Sequence, residues 1–201
     1  MSPTHAATLS AQDDDHEARF VSCSRIVPNL YLGNVVASYH IPTLQKHGIS
    51  AVVSVIEDHN PRWELQEYRE LIPTENQLII PAGDTETQDL LVHLQQICDF
   101  IDAQHDAGRQ VLVHCIAGVS RSPTVVVAYL MRKWGKGLDK TLKYVKGKRS
   151  EVRPSQSFME QLRVWEEVQY EIWEDADAEE AKRPYQGYLK QREERLKKRP
   201  S

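Results

Sequence analysis

The sequence predicts an α/β fold with a central, mainly parallel, twisted sheet and helices on both faces. Short runs of valine, isoleucine and leucine alternate along the chain with longer segments of helical periodicity, which is the order expected of strands joined by helices. One apolar run leads through a glycine-containing loop into a helix, and such folds bind ligands at the carboxyl ends of their strands. The 201 residues are 40% hydrophobic, which is enough for one well-buried domain with tails.

Three apolar runs are predicted to form strands. They are rich in β-branched side chains or leucine and carry no charged residue, as is typical of strands that are covered on both faces. A glycine or a polar turn residue lies close to each run, so we expect the strands to be short. The runs span residues 49–55, 78–80 and 111–113.

Helical periodicity marks four further segments. In the first, Asp89 precedes an apolar stripe and Gly108 follows it, so we expect an N-cap and a C-terminal stop at these positions. In the second, Pro123 stands in the first turn, where its missing N–H costs nothing. The expected helices span about residues 90–107, 122–134, 138–145 and 156–173.

The two ends of the chain differ in composition from the middle. Residues 1–23 are polar and without periodicity, which predicts a disordered segment before a folded domain at 24–173. Residues 174–201 form a charged tail, in which an acidic stretch is followed by a basic and partly aromatic segment with helical character. We expect a solvated tail, with a protein partner for it as the alternative. The net charge of −4 argues against nucleic-acid binding.

Composition also limits the compartment and the cofactors. No apolar run approaches the length needed to span a membrane, and no apolar leader or myristoylation pattern is present, so we expect no membrane association. The three cysteines form no CxxC pair and are badly spaced for zinc, which predicts neither a disulfide framework nor a metal site. We therefore expect a cytoplasmic or nuclear protein that needs no cofactor.

Residues 114–122, HCIAGVSRS, predict a phosphate-binding loop between a strand and a helix. The loop delivers backbone N–H groups to a helix N-terminus, which favours a bound anion. Gly118 allows a tight ring, and the planar guanidinium of Arg121 can bind two phosphate oxygens. The predicted phosphate-binding residues are Ile116, Ala117, Gly118, Val119, Ser120 and Arg121.

Cys115 is the predicted nucleophile of this loop. A helix N-terminus and a nearby arginine favour the thiolate form of a cysteine, which then needs no neighbouring base. The Ser122 hydroxyl can reach the sulfur and ease its departure when a covalent intermediate breaks down. His114 points away from Cys115 in a strand, so we expect a supporting role in orienting the loop by hydrogen bonding.

Asp84 is the predicted general acid, because cleavage of a phosphate ester needs a proton on the leaving oxygen. It lies before the nucleophile in a loop that follows a predicted strand, and catalytic groups are often carried on such loops. Glu86 is its local rival. A turn aspartate that bonds its own backbone is the structural alternative.

Taken together, residues 114–122 resemble the signature loop of the cysteine-based protein phosphatases, and the flanking segments resemble the small (atypical) dual-specificity branch. The segments that carry the likeness are residues 29–33, 128–131 and 149–162, and the resemblance covers about residues 24–170. Ser155 replaces a usual asparagine and Ser157 a common glycine. The position of Asp84 matches the general-acid aspartate of that family.

This resemblance implies hydrolysis of phosphoserine, phosphothreonine and phosphotyrosine in proteins through a cysteinyl-phosphate intermediate. Three alternatives stay open: a phosphatase for a phosphoinositide or an RNA 5′ end, a phosphopeptide-binding module with little turnover, and a rhodanese-type sulfur carrier. Lipid-directed loops of this type often carry lysine, which is absent from residues 116–120. Whether Cys23 or Cys98 can resolve an oxidised Cys115 depends on distances that the sequence does not give.

Overall fold

The computed structural model describes residues 17–58, 60–175 and 180–198. Within them the strands are β1 (Cys23–Val27), β2 (Leu30–Asn34), β3 (Ile49–Val55), β4 (Gln77–Ile80) and β5 (Gln110–Cys115). They form a five-stranded sheet in the order β1-β2-β5-β3-β4. β1 pairs antiparallel with β2, and the other neighbours are parallel. The predicted mainly parallel sheet is confirmed.

Helices cover both faces of the sheet, as the alternating pattern predicts. Pro61–Glu64 and Thr74–Asn76 are short 3₁₀ turns. The α-helices of the described residues are α1 (Val35–Tyr39), α2 (Ile41–His47), α3 (Gln66–Leu71), α4 (Leu91–Asp106), α5 (Arg121–Trp134), α6 (Leu138–Lys148), α7 (Gln156–Glu167) and α8 (Arg183–Lys197).

The hydrophobic core is divided by the sheet because successive strand residues point to opposite faces. On β5, Val111, Val113 and Cys115 belong to the larger cluster, which α4 to α8 cover. Leu112 belongs to the smaller cluster, which the segments around Trp63 and α1 to α3 cover. The central strand is thus buried on both sides, and its carboxyl end is held rigidly by two parallel neighbours, β2 and β3.

Two helix boundaries differ from those expected. Helix α4 begins at Leu91 rather than at Leu90, so Leu90 and not Asp89 is at the N-cap position. The Asp89 side chain still caps the helix, because it accepts a hydrogen bond from Leu91 N at 2.9 Å. Helix α7 ends at Glu167 instead of continuing to Trp173. It stops because Gln169 and Tyr170 adopt left-handed backbone angles with φ of 57° and 66°, which end an α-helix.

The C-terminal segment is not the solvated tail that its charge predicts. Helix α8 packs on the larger core cluster through Tyr185 and Tyr188, which are 2% and 5% exposed. A single antiparallel bridge between Trp173 and Ala181 brings the chain back toward α7. The expectation is wrong because two tyrosines of one helical face supply enough apolar area to dock an otherwise basic helix.

The predicted disordered segment, residues 1–23, lies largely outside the described residues. Its described part, from Glu17 onward, is folded against the domain. The Glu17 carboxylate binds the Arg62 guanidinium with both oxygens, at 2.7 and 3.0 Å. Strand β1 begins at Cys23, so the folded domain starts earlier than residue 24.

Candidate active site

Cys115 lies at the carboxyl end of β5, where the sequence places it. Its side chain is buried, and the Sγ atom accepts a hydrogen bond from the backbone N–H of Gly118 at 3.3 Å. The Ser122 hydroxyl donates a second hydrogen bond to Sγ at 3.2 Å. Two hydrogen-bond donors are therefore directed at this one sulfur.

The loop between Cys115 and Arg121 closes tightly around Gly118. Gly118 has φ of 70°, and a Cβ atom at this position would lie 2.6 Å from the Gly33 carbonyl oxygen. Only glycine combines this backbone angle with so close an approach. The expectation that Gly118 allows a tight ring is therefore consistent with the geometry.

The outer side of the loop is fixed by the segment that follows α6. Arg149 is buried and donates from Nε to the Gly118 carbonyl at 3.1 Å and from Nη1 to the Ser22 hydroxyl at 2.8 Å. Arg153 N donates to the Val119 carbonyl at 2.8 Å. These bonds hold the Gly118 and Val119 carbonyls from outside the loop.

Arg121 begins helix α5 and is almost fully buried. Its Nη1 donates to the Ala82 carbonyl at 2.8 Å, which links the loop to the segment that carries Asp84. Among the described residues, the buried Nε–H of Arg121 has no hydrogen-bond partner. An arginine with an unused buried donor at a helix N-terminus suits a phosphate oxygen.

His114 is completely buried. Its Nε2 lies 2.7 Å from the Ser54 hydroxyl on β3. Burial lowers the pKa of His114 to about 4, so the imidazole is neutral at physiological pH. His114 therefore ties the carboxyl ends of β5 and β3 together, and its supporting role in orienting the loop stays a prediction.

Asp84 reaches the loop through a contact that the sequence did not indicate. The Ser120 hydroxyl donates to the Asp84 Oδ1 atom at 3.0 Å, and the same hydroxyl accepts a bond from Ser155 N at 3.2 Å. Asp84 is exposed to solvent. The structure thus brings together Cys115, Arg121, Ser122 and Asp84, while Glu86 bonds through its backbone carbonyl to the Ser157 hydroxyl at 2.9 Å.

A family comparison agrees with this geometry. The family described as "Dual specificity phosphatase, catalytic domain" matches residues 30–168. The chain belongs to this family.

Individual relatives of this dual specificity phosphatase cover most of the same region. It is 37% identical to dual specificity protein phosphatase 22-A of Danio rerio over 153 residues, which are 75% of this chain and 69% of the relative. It is 36% identical to dual specificity protein phosphatase 22 of Mus musculus over 170 residues, or 79% of this chain and 88% of the relative. The crystal structure of human DUSP28 matches with a TM-score of 0.64 and 33% identity, over 73% of this chain and 93% of that one.

The other two cysteines of the phosphatase are neutral thiols away from the loop. Burial raises the pKa of Cys98 to about 12 and that of Cys23 to about 11. Cys23 packs against the smaller core cluster, on the opposite sheet face from Cys115. Neither thiol is suited to rapid attack on an oxidised Cys115, since the thiolate is the reactive form.

The described part of the phosphatase holds neither a cluster of metal ligands nor a helix able to cross a membrane. In residues 17–58, 60–175 and 180–198, no group of three or more His, Cys, Asp or Glu side chains is arranged to hold a metal ion. No helix in these ranges has the length and apolar character that crossing a bilayer requires.

Sequence reasoning missed the roles of two residues and one contact that shape this site: Arg149, Ser155 and the Ser120–Asp84 hydrogen bond. Their partners lie far apart in the chain, for example 31 positions for Arg149 and Gly118. The one available signal was the likeness of residues 149–162 to the family, which marks the segment but not the contacts. Ser155, which departs from the family's usual asparagine, also caps α7 by accepting from Phe158 N at 3.4 Å.

Proposed function

We propose that this phosphatase hydrolyses phosphoserine, phosphothreonine and phosphotyrosine esters of proteins through a cysteinyl-phosphate intermediate. One observation carries the proposal: Cys115 Sγ lies at the base of a loop that points two donors at it, and Asp84 is hydrogen-bonded to the same loop through Ser120. A nucleophile and an acid on opposite sides of one anion site are what phosphate-ester cleavage needs.

In the first step, the Cys115 thiolate attacks phosphorus and forms a sulfur–phosphorus bond while the ester phosphorus–oxygen bond breaks. Asp84, protonated, gives its proton to the leaving oxygen, so the alcohol or phenol departs neutral. Backbone N–H groups of residues 116–120 and the Arg121 guanidinium hold the non-bridging oxygens. These oxygens become equatorial in the transition state and share its negative charge, and donors already in place stabilise that arrangement.

In the second step, a water molecule attacks phosphorus and the sulfur–phosphorus bond breaks. Asp84, now ionised, takes a proton from that water, and inorganic phosphate is released. The Ser122 hydroxyl, 3.2 Å from Sγ, stabilises the departing thiolate by hydrogen bonding. His114 takes no proton in either step, because its neutral ring is buried behind the loop.

A protein substrate is favoured by the surface of the loop. Ile116 is 53% exposed at the rim, and residues 116–120 offer apolar or uncharged side chains. A highly charged inositol phosphate or RNA 5′ end needs several cations at this rim. We therefore propose phosphoproteins as the substrates. The three cysteines are free thiols, so we also propose a reducing compartment, the cytoplasm or the nucleus.

The test is a substrate panel with purified protein. Phosphoserine, phosphothreonine and phosphotyrosine peptides are compared with a phosphoinositide and a 5′-triphosphorylated RNA, and Cys115→Ser serves as the inactive control. We expect phosphate release from the peptides that the control lacks. Faster release from the lipid or RNA than from all peptides would contradict the substrate class, and binding of peptides without any release would favour a binding module.

A further inference from the structure

Helix α8 lies outside the residues that match the family, yet it is part of the folded domain. The family match ends at residue 168, whereas α8 spans Arg183–Lys197. The hydroxyls of its two buried tyrosines and the guanidinium of a nearby arginine all donate hydrogen bonds to one short loop segment. That segment leads from Asp84 to helix α4.

Three consecutive residues of the loop each receive a hydrogen bond from α8. Arg192 Nε donates to the Thr87 carbonyl at 2.6 Å. The Tyr188 hydroxyl donates to the Gln88 carbonyl at 3.3 Å, and the Tyr185 hydroxyl donates to the Asp89 carboxylate at 2.9 Å.

Two of the donors from α8, Tyr185 and Arg192, are well suited to holding this segment. Burial first, and then the charge of Asp89, raises the pKa of Tyr185 above its usual value, so the phenol keeps its proton. Arg192 supplies a charged donor to a neutral carbonyl, a stronger type of hydrogen bond than a neutral pair. The loop segment has no helix or strand of its own, so such bonds decide its conformation.

A side chain of the same segment extends the connection to Asp84. The Gln88 Oε1 atom accepts from Gly83 N at 3.0 Å, and Gly83 directly precedes the acid. Gln161 of α7 donates to the Gln88 carbonyl at 2.7 Å, so this carbonyl is held from two helices. The position of Asp84 is thus fixed at one end by Ser120 and at the other by a segment that α8 holds.

We propose that helix α8 positions the general acid, with Arg192 and Tyr188 as positioning residues that act through the loop on Asp84. The inference rests on the proposed role of Asp84 in proton transfer. Misplacing an acid by a fraction of a hydrogen-bond length weakens proton transfer without disturbing the nucleophile. Loss of the α8 contacts therefore slows the first chemical step only for those esters that need a proton on the leaving oxygen.

The test compares kcat/KM, which reports the first chemical step and not hydrolysis of the intermediate, for two aryl phosphates in the full chain. Phenyl phosphate needs the acid in this step because phenolate is a poor leaving group, whereas 2,4-dinitrophenyl phosphate does not. We expect Arg192→Ala and Tyr188→Phe to lower kcat/KM for phenyl phosphate roughly tenfold and threefold, with little change for the dinitrophenyl ester. Tyr188→Phe keeps the buried ring, so its effect is not one of unfolding, and Arg192→Lys is expected to restore part of the loss.

A double-mutant comparison separates positioning from general structural damage. In an Asp84→Asn background, Arg192→Ala is expected to cause no further loss, because the group that it positions is already gone. Arg183→Ala, an exposed arginine at the start of the same helix, is the matched control and should leave both rates unchanged.

Two contrary outcomes have different meanings. If Asp84→Asn alone leaves the phenyl phosphate rate unchanged, the general-acid assignment fails and the role of α8 fails with it. If Asp84→Asn slows the reaction but Arg192→Ala and Tyr188→Phe do not, or if they slow both esters equally, only the role of α8 is overturned.

Discussion

The Ser120 hydroxyl donates a hydrogen bond to the Asp84 carboxylate at 3.0 Å, so a residue of the phosphate-binding loop contacts the proposed acid directly. Ser120 was expected only to present its backbone to a phosphate. Because the same hydroxyl accepts from Ser155 N, it joins the phosphate-binding loop, the acid loop and the start of α7. The Ser120 side chain therefore fixes the acid relative to the loop that holds the nucleophile, alongside the bond from Arg121 to the Ala82 carbonyl.

Ser120→Ala is expected to slow the acid-dependent first step. A hydrogen bond to a carboxylate contributes on the order of 1–2 kcal/mol, so kcat/KM for phenyl phosphate should fall about tenfold. Ser120→Thr keeps the hydroxyl and serves as the matched control. Equal rates for the alanine and threonine variants would show that the contact does not position Asp84.

Gly118→Ala is expected to damage the loop more than its backbone angle alone requires. The new Cβ would lie 2.6 Å from the Gly33 carbonyl oxygen and 2.8 Å from Arg149 Nη2. Gly135 has φ of 59° and no neighbouring atom within 4 Å, so Gly135→Ala measures the cost of the backbone angle by itself, about 1 kcal/mol. Urea unfolding should give a loss of stability for Gly118→Ala that is larger by roughly 1–3 kcal/mol, together with loss of activity. Equal losses would mean that the loop can relax around the methyl group.

Ser122→Ala is expected to slow breakdown of the covalent intermediate. Without the hydroxyl 3.2 Å from Sγ, the departing thiolate loses one donor, and turnover of an activated ester should fall roughly tenfold. The phosphorylated enzyme should accumulate, which intact-protein mass spectrometry can detect after rapid acid quench. Thr124→Val removes another buried hydroxyl of α5, one that bonds the Ser120 carbonyl, and should cause no such accumulation. A Ser122→Ala enzyme with no phosphorylated form at steady state would argue against this role.

Parts of the fold that depend on local pattern were predictable, and parts that depend on distant contacts were not. Strand β5, the loop and α5 follow one another within a short stretch, and hydrophobic periodicity and Pro123 marked them correctly. The docking of Tyr185 on Asp89 joins residues 96 positions apart, and no local pattern in a basic segment reveals such a partner. The early end of α7 was missed for a related reason, since Gln169 and Tyr170 adopt angles that sequence assigns to glycine.

The same division applies to the site. Cys115, Gly118, Arg121 and Ser122 were recognisable because their chemistry and spacing lie in one motif. Arg149 was not, because its contact with the Gly118 carbonyl depends on how α6 packs against the sheet. A side chain that stabilises a loop without taking part in the chemistry belongs to no recognisable catalytic motif.

The buried His114 is expected to make stability depend on pH. Its folded-state pKa of about 4 lies below the unfolded value, so between about pH 6.5 and about pH 4 the unfolded chain binds a proton that the folded chain does not. Stability is therefore complete above this window and falls as the pH drops through it, by about 2 kcal/mol between about pH 7 and about pH 5. Urea unfolding at several pH values gives the free energy of unfolding of the protein and of His114→Gln, whose amide can still bond the Ser54 hydroxyl. Between about pH 7 and about pH 5, this free energy should fall by about 2 kcal/mol more in the protein than in His114→Gln. Parallel pH profiles for the two proteins would contradict a neutral, buried imidazole.

The central claim is a covalent bond between Cys115 and phosphate, and a burst experiment with Asp84→Ala tests it most directly. With 2,4-dinitrophenyl phosphate, formation of the intermediate does not need the acid, whereas its hydrolysis loses the base that activates water. We predict a rapid release of dinitrophenol equal to the enzyme concentration, followed by slow turnover, with one phosphoryl group found on Cys115 by peptide mass spectrometry. Linear release with no burst and no phosphorylated Cys115 would contradict the account.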